Sequence, residues 1–89
     1  MIQAHIYYSG TVQGVGFRYT AQRLARELEL TGWVKNLADR RVEMIVEGPQ
    51  KTIEQLCKNI ETHFANFIKD KQINFSPASQ GFNNFRISH

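Results

Sequence analysis

A switch of hydrophobic period across a glycine-punctuated loop constrains this chain more than any other feature. Ile2, Ala4, Ile6 and Tyr8 alternate with Gln3, His5, Tyr7 and Ser9, which predicts a strand over 2–9 with one buried face. Gly10, Gly14 and Gly16 then interrupt the chain. From Phe17 the spacing changes: Phe17, Ala21, Leu24, Ala25 and Leu28 form one stripe of a helix. Arg18, Gln22, Arg23, Arg26 and Glu29 fill most of its remaining surface, and Arg23 can pair with Glu27 one turn on.

The same reading continues downstream. Gly32 starts a strand through Trp33–Asn36, Leu37–Arg40 reads as a hairpin loop, and Val42, Met44 and Val46 alternate with Arg41, Glu43 and Glu47. Gly48-Pro49 opens a second helix, proline fitting its first turn, with Ile53, Leu56, Cys57, Ile60 and Phe64 as the apolar stripe. Lys71–Phe75 is expected as a strand, Ser76-Pro77 to Gly81 as a loop, and Phe85 with Ile87 as a short last strand. The order strand, helix, strand, strand, helix, strand, with connections this short, predicts an α+β sandwich. Its sheet is expected to be antiparallel with both helices packed on one face.

With 89 residues the chain has room for one domain, 1–89. A composition 42% hydrophobic and 21% charged is too apolar for a disordered chain, and no apolar run approaches the ~18 residues of a membrane span. The start, Met1-Ile2-Gln3-Ala4-His5, lacks a basic segment followed by an apolar stretch, so a cytoplasmic protein without membrane association is expected. The net charge of +3 is spread along the chain, which suggests mild attraction for anions rather than a nucleic-acid face. The one cysteine, Cys57, excludes an intrachain disulfide and a Cys-rich zinc site.

The loop before the first helix carries the chemistry. Glycines at 10, 14 and 16 remove side chains where backbone N–H groups can face an anion. The first N–H groups of a helix lack internal partners, and the helix dipole adds roughly half a positive charge there. Arg18 in the first turn opposes that dipole at a cost of roughly 0.3–1 kcal/mol, which a bound anion reverses. Arginine also donates to phosphate oxygens through a planar fork that lysine lacks. Spacing alone leaves a plain turn with an exposed arginine as the other reading. The loop is neither a Walker motif, which needs Lys-Ser/Thr after its last glycine, nor a Rossmann fingerprint, because Tyr19 stands where the third glycine would fall.

The stretch Gly10-Thr11-Val12-Gln13-Gly14-Val15-Gly16-Phe17-Arg18 resembles the signature loop of acylphosphatases, and Gly32-Trp33-Val34-Lys35-Asn36-Leu37 resembles that family's second signature. The resemblance runs clearly from Ile6 to Leu56 and beyond that by pattern. It implies a ferredoxin-like fold and hydrolysis of acyl phosphates to a carboxylate and inorganic phosphate, the latter acting as product inhibitor. By position it makes Arg18 the phosphate-binding arginine and Asn36 the residue that orients the attacking water. The backbone amides of Gln13, Gly14, Val15, Gly16, Phe17 and Arg18 form the phosphate cradle. One departure is Arg40, at a hairpin position where the family often has glycine; if φ is positive there, arginine costs roughly 1–2 kcal/mol.

The chemistry agrees with what the chain lacks. The leaving group of an acyl phosphate is a carboxylate of pKa about 4, which departs without a general acid. Near the loop there is no paired carboxylate, Ser-His-Asp set or metal-ligand cluster, and positioning with charge stabilisation is enough for phosphoryl transfer. No cofactor and no metal is expected, the partner being a small acyl phosphate bound by a monomer. Asn36 taken alone reads as a turn former at a strand end. Cys57 reads as core, Trp33 as core or sheet cover, and Gln13 as part of the cradle or a cap on its turn. His5, His63 and His89 show no ligand spacing. Two rivals share the element order: a catalytically silent anion-binding regulatory domain, and an RNA-recognition module using Tyr7 and His5 as its platform. Against the second, Arg41–Glu47 has no aromatic and presents Glu43 and Glu47 where phosphates would approach.

Overall fold

Ala4, Ile6 and Tyr8 are completely buried along one face of β1 (Ile2–Gly10), as their alternation predicts. The computed structural model describes residues 1–78 and 81–89. After β1 come α1 (Phe17–Glu27), β2 (Thr31–Asn36), β3 (Val42–Gly48), α2 (Gln50–His63), β4 (Ile68–Pro77) and β5 (Phe85–Ile87). The strands form one sheet in the order β4-β1-β3-β2-β5. Val34, Met44 and Val46 share the buried face with Ala4, Ile6 and Tyr8. Against this face α1 packs through Phe17, Ala21 and Ala25, and α2 through Ile53, Leu56, Cys57 and Ile60.

The α+β sandwich with two helices on one face is therefore as expected, with three corrections of detail. First, the sheet is mixed: β1, β3, β4 and β2 pair antiparallel, but β5 lies parallel to β2, with Gly32 opposite Phe85 and Val34 opposite Ile87. The chain leaves β4 at one sheet edge and returns at the other, and a strand of three residues carries no sequence signal for its partner. Second, β4 spans ten residues rather than Lys71–Phe75, so Ser76 and Pro77 belong to a strand and not a loop. Most of β4 is exposed, so burial imposes no alternation on it; it is held by backbone pairing to β1 from Ile2–Pro77 to Gly10–Ile68. As an edge strand it tolerates the missing donor of Pro77. Of the loop expected before Gly81, residues 79 and 80 lie outside the described residues. Third, Pro49 stands just before α2 as its N-cap, its carbonyl accepting from Thr52 and Ile53 at 3.1 and 3.0 Å.

The β2–β3 hairpin bears out the concern over Arg40, whose φ is 77°. Leu37 N–H donates to the Arg41 carbonyl at 2.8 Å, and Arg40 N–H to the Leu37 carbonyl at 3.2 Å, closing the turn. The Asp39 carboxylate accepts from the Arg41 backbone at 3.1 Å and from its guanidinium at 2.8 Å. Among the described residues, no helix is long and apolar enough to cross a membrane.

Candidate active site

The glycines of the β1–α1 loop adopt the backbone geometry that a side chain disfavours. Gly14 and Gly16 have φ of 79° and 78°, the left-handed region, and a Cβ at either would meet only open space. It is backbone conformation, not crowding, that requires glycine there. Gly16 is the N-cap of α1 and offers no side-chain cap, and the first turn contains no acidic residue. The orphan N–H groups and the positive helix end are left without a neutralising group from their own helix. Val12, completely buried, and Phe17, 2% exposed, anchor the two ends of this loop in the core. The Phe17 ring lies 5.5 Å from that of Tyr8 and stacks on Phe64 at 4.7 Å.

Arg18 follows Phe17 directly, half-buried at the mouth of a cavity of about 300 Å³. Gly14, Gly16, Phe17 and Arg18 line this cavity, and so does Asn36 from the end of β2. The two residues expected to carry the chemistry, 18 positions apart in sequence, thus share one space. Asn36 Oδ1 is buried and has no hydrogen-bond partner. A buried acceptor left in that state costs about 1–3 kcal/mol, so its persistence needs a reason.

Of the residues expected in the cradle, Gln13 and Val15 do not line the cavity. Val15 packs partly against the core. The Gln13 side chain turns to the hairpin, donating to the carbonyls of Leu37 at 2.8 Å and Arg41 at 3.0 Å. Four lining residues are not among the expected site residues: Val12, Tyr19, Ile87 and His89. Arg18 Nη1 and His89 Nδ1 lie 3.4 Å apart. His89 reaches the cavity because β5 docks beside β2, where Ser88 N–H donates to the Val34 carbonyl at 2.8 Å. Arg26 of α1 holds the same strand through a 3.0 Å bond to the Phe85 carbonyl. Only the parallel pairing of β5 brings Ile87 and His89 in, so no local motif announces those two. Among the described residues, no three His, Cys, Asp or Glu side chains gather into a metal-binding group.

Comparison with known proteins decides the family. A model of the acylphosphatase family matches residues 4–87. The chain belongs to the acylphosphatase family. An acylphosphatase of Bacillus velezensis is 38% identical over 91 residues, the alignment covering all of both chains. An acylphosphatase of Nostoc sp. is 48% identical over 58 residues, covering 65% of this chain and 57% of that protein. Among solved structures, the acylphosphatase from Bacillus subtilis superposes with a TM-score of 0.91 at 35% identity, with full coverage of both chains. The resemblance read from the two signature stretches is borne out, as is the fold that it implied.

Proposed function

We propose that this acylphosphatase family member hydrolyses acyl phosphates to a carboxylate and inorganic phosphate. Arg18 and the loop amides of Gln13 to Arg18 bind the phosphoryl group, and Asn36 orients the attacking water. The observation that carries this reading is the buried, unpartnered Oδ1 of Asn36 in the cavity that Arg18 and the start of α1 also line. The Asn36 amide stands at that same cavity. Water held by this amide directs a lone pair at phosphorus, while the forked guanidinium and the backbone N–H groups hold the phosphoryl oxygens.

The water oxygen forms the new P–O bond as the bond from phosphorus to the acyl oxygen breaks, and its electron pair departs on the carboxylate. The water's proton passes to a phosphoryl oxygen. Because the leaving carboxylate has a pKa near about 4, it needs no proton to depart, and no acid is asked of the protein. The barrier is lowered by alignment and by fixed positive charge.

The opposite face of the sheet offers RNA a poor platform. Glu43 accepts from Tyr7 at 3.1 Å and lies 2.6 Å from His5 Nε2, and the Arg41 guanidinium covers the Tyr7 ring at 4.4 Å. A base would have to displace a cation from the ring and approach a carboxylate. The protein works as a single-domain monomer in the cytoplasm. Its one cysteine suits a reducing compartment.

The test is hydrolysis of benzoyl phosphate with and without EDTA, and with added inorganic phosphate. Turnover that resists the chelator and is competitively inhibited by phosphate is expected. Absence of turnover in folded protein refutes the reading.

A further inference from the structure

We infer that the Gln13 side chain is a positioning residue: it locks the hairpin that follows Asn36 onto the cradle loop and thereby sets the distance between water and phosphorus. The inference rests on the functional reading above. It goes beyond the backbone role that the signature loop assigns to this residue.

The argument begins with hydrogen-bond capacity. A glutamine amide nitrogen has two hydrogens to donate. Gln13 Nε2 meets two carbonyls, Leu37 at 2.8 Å and Arg41 at 3.0 Å, so both donors are engaged. Because both partners are acceptors, the orientation of the amide is fixed by chemistry. These carbonyls stand on either side of the hairpin neck, where Leu37 N–H also donates to Arg41 at 2.8 Å. One side chain therefore grips both strands of the turn at their closure. The residue before Leu37 is Asn36, and the residues after Gln13 lead through Gly14 to Gly16 and Arg18. Among the described residues, no other side-chain hydrogen bond joins the cradle loop to the hairpin. Without it, Asn36 is held by its own strand pairing to Val42, while the loop is held by Val12 and Phe17. Each half stays ordered, and Val42 still ties Asn36 to Tyr8 of β1, but among the described residues the loop beyond Gly10 then has no side-chain bond to the hairpin that follows Asn36.

The expected effect follows from alignment. A misplacement of about 1 Å in a reacting geometry costs up to about 100-fold in rate. Gln13→Met keeps the length of the side chain and removes the donors; Gln13→Ala removes both. Neither leaves a bare carbonyl, since Arg41 O keeps the Leu37 N–H and Leu37 O keeps the Arg40 N–H.

In both variants kcat for benzoyl phosphate is expected to fall about 10- to 100-fold, with the inhibition constant of inorganic phosphate unchanged. Hydrogen exchange at the Leu37 amide is expected to accelerate. In an Asn36→Ala background the same Gln13 substitutions should cost nothing further, because a residue acting through Asn36 has no effect once Asn36 is gone. A full additional loss in that background overturns the inference. So does a Gln13→Met enzyme of normal kcat, or phosphate inhibition that weakens in step with kcat, which would assign the Gln13 side chain, and not only its backbone amide, to the cradle. Unchanged Leu37 exchange also overturns it, whatever the kinetics. Wild-type protein that does not hydrolyse the substrate refutes the functional reading instead, and the exchange measurement still reports whether the tie exists.

Discussion

Asn36→Ala is expected to separate catalysis from stability, because the proposed role of Asn36 and the burial of its Oδ1 give the two opposite signs. In the folded chain Oδ1 is buried without a partner, a state that costs about 1–3 kcal/mol relative to a satisfied acceptor. Removing the amide deletes that cost, and the space it vacates opens into the cavity rather than the core. The net gain is expected at the lower end of that range, about 1 kcal/mol. For a domain of this size that corresponds to a melting temperature raised by about 4–8 °C. Catalysis moves the other way. Losing one preorganised hydrogen bond at a reacting centre typically costs about 100-fold in kcat, or about 2.7 kcal/mol of the barrier. Thermal denaturation followed by circular dichroism, beside steady-state hydrolysis of benzoyl phosphate, measures both on one preparation. A variant that melts lower and turns over normally refutes the reasoning and makes Asn36 a turn former. A site residue that weakens the fold is what selection for activity over stability produces.

Three other outcomes follow from the same geometry. Arg18→Lys should fold normally yet lose most of its activity, and bind inorganic phosphate more weakly, because a point charge cannot reproduce a forked contact; titration calorimetry with phosphate checks this. Arg40→Gly relieves the left-handed strain at φ 77° and should raise stability in urea by about 1 kcal/mol with activity unaltered; an unchanged denaturation midpoint would refute it. Burial pushes the Cys57 thiol up from its ordinary 9.0, and burial likewise raises the Tyr8 hydroxyl from 10.0. Both groups hold their protons longer when folded, so their contribution is intact below pH 9 and is lost as the pH climbs past the unfolded values. Urea midpoints between pH 8 and 11 should therefore fall, and Cys57→Ala should flatten the early part of that decline.

What the sequence makes legible is whatever one side of an element has to do with water. Ile6 and Tyr8 must be buried and Gln3 and Tyr7 need not be, so β1 declares itself; Phe17, Ala21 and Ala25 do the same for α1. The two signature stretches then supply Arg18 and Asn36 together. β4 is different: with most of its side chains exposed, only its backbone knows it is a strand, and hydrophobic spacing says nothing of backbone pairing. The parallel docking of β5 is a tertiary choice that no window of sequence encodes, and with it go Ile87 and His89 at the cavity. Gln13 illustrates a third limit. Its loop position is plain, but the partners of its amide lie 24 and 28 residues away.

The peptide bond between Phe17 and Arg18 joins a ring cluster of the interior to the charge proposed to meet the substrate. The guanidinium borrows its steadiness from Tyr8 and Phe64, residues that do not line the cavity. Turnover is thus a gauge of how solid the middle of the molecule is. On gentle heating, activity and aromatic packing should disappear together, leaving no interval in which an intact active end is carried by a softened body.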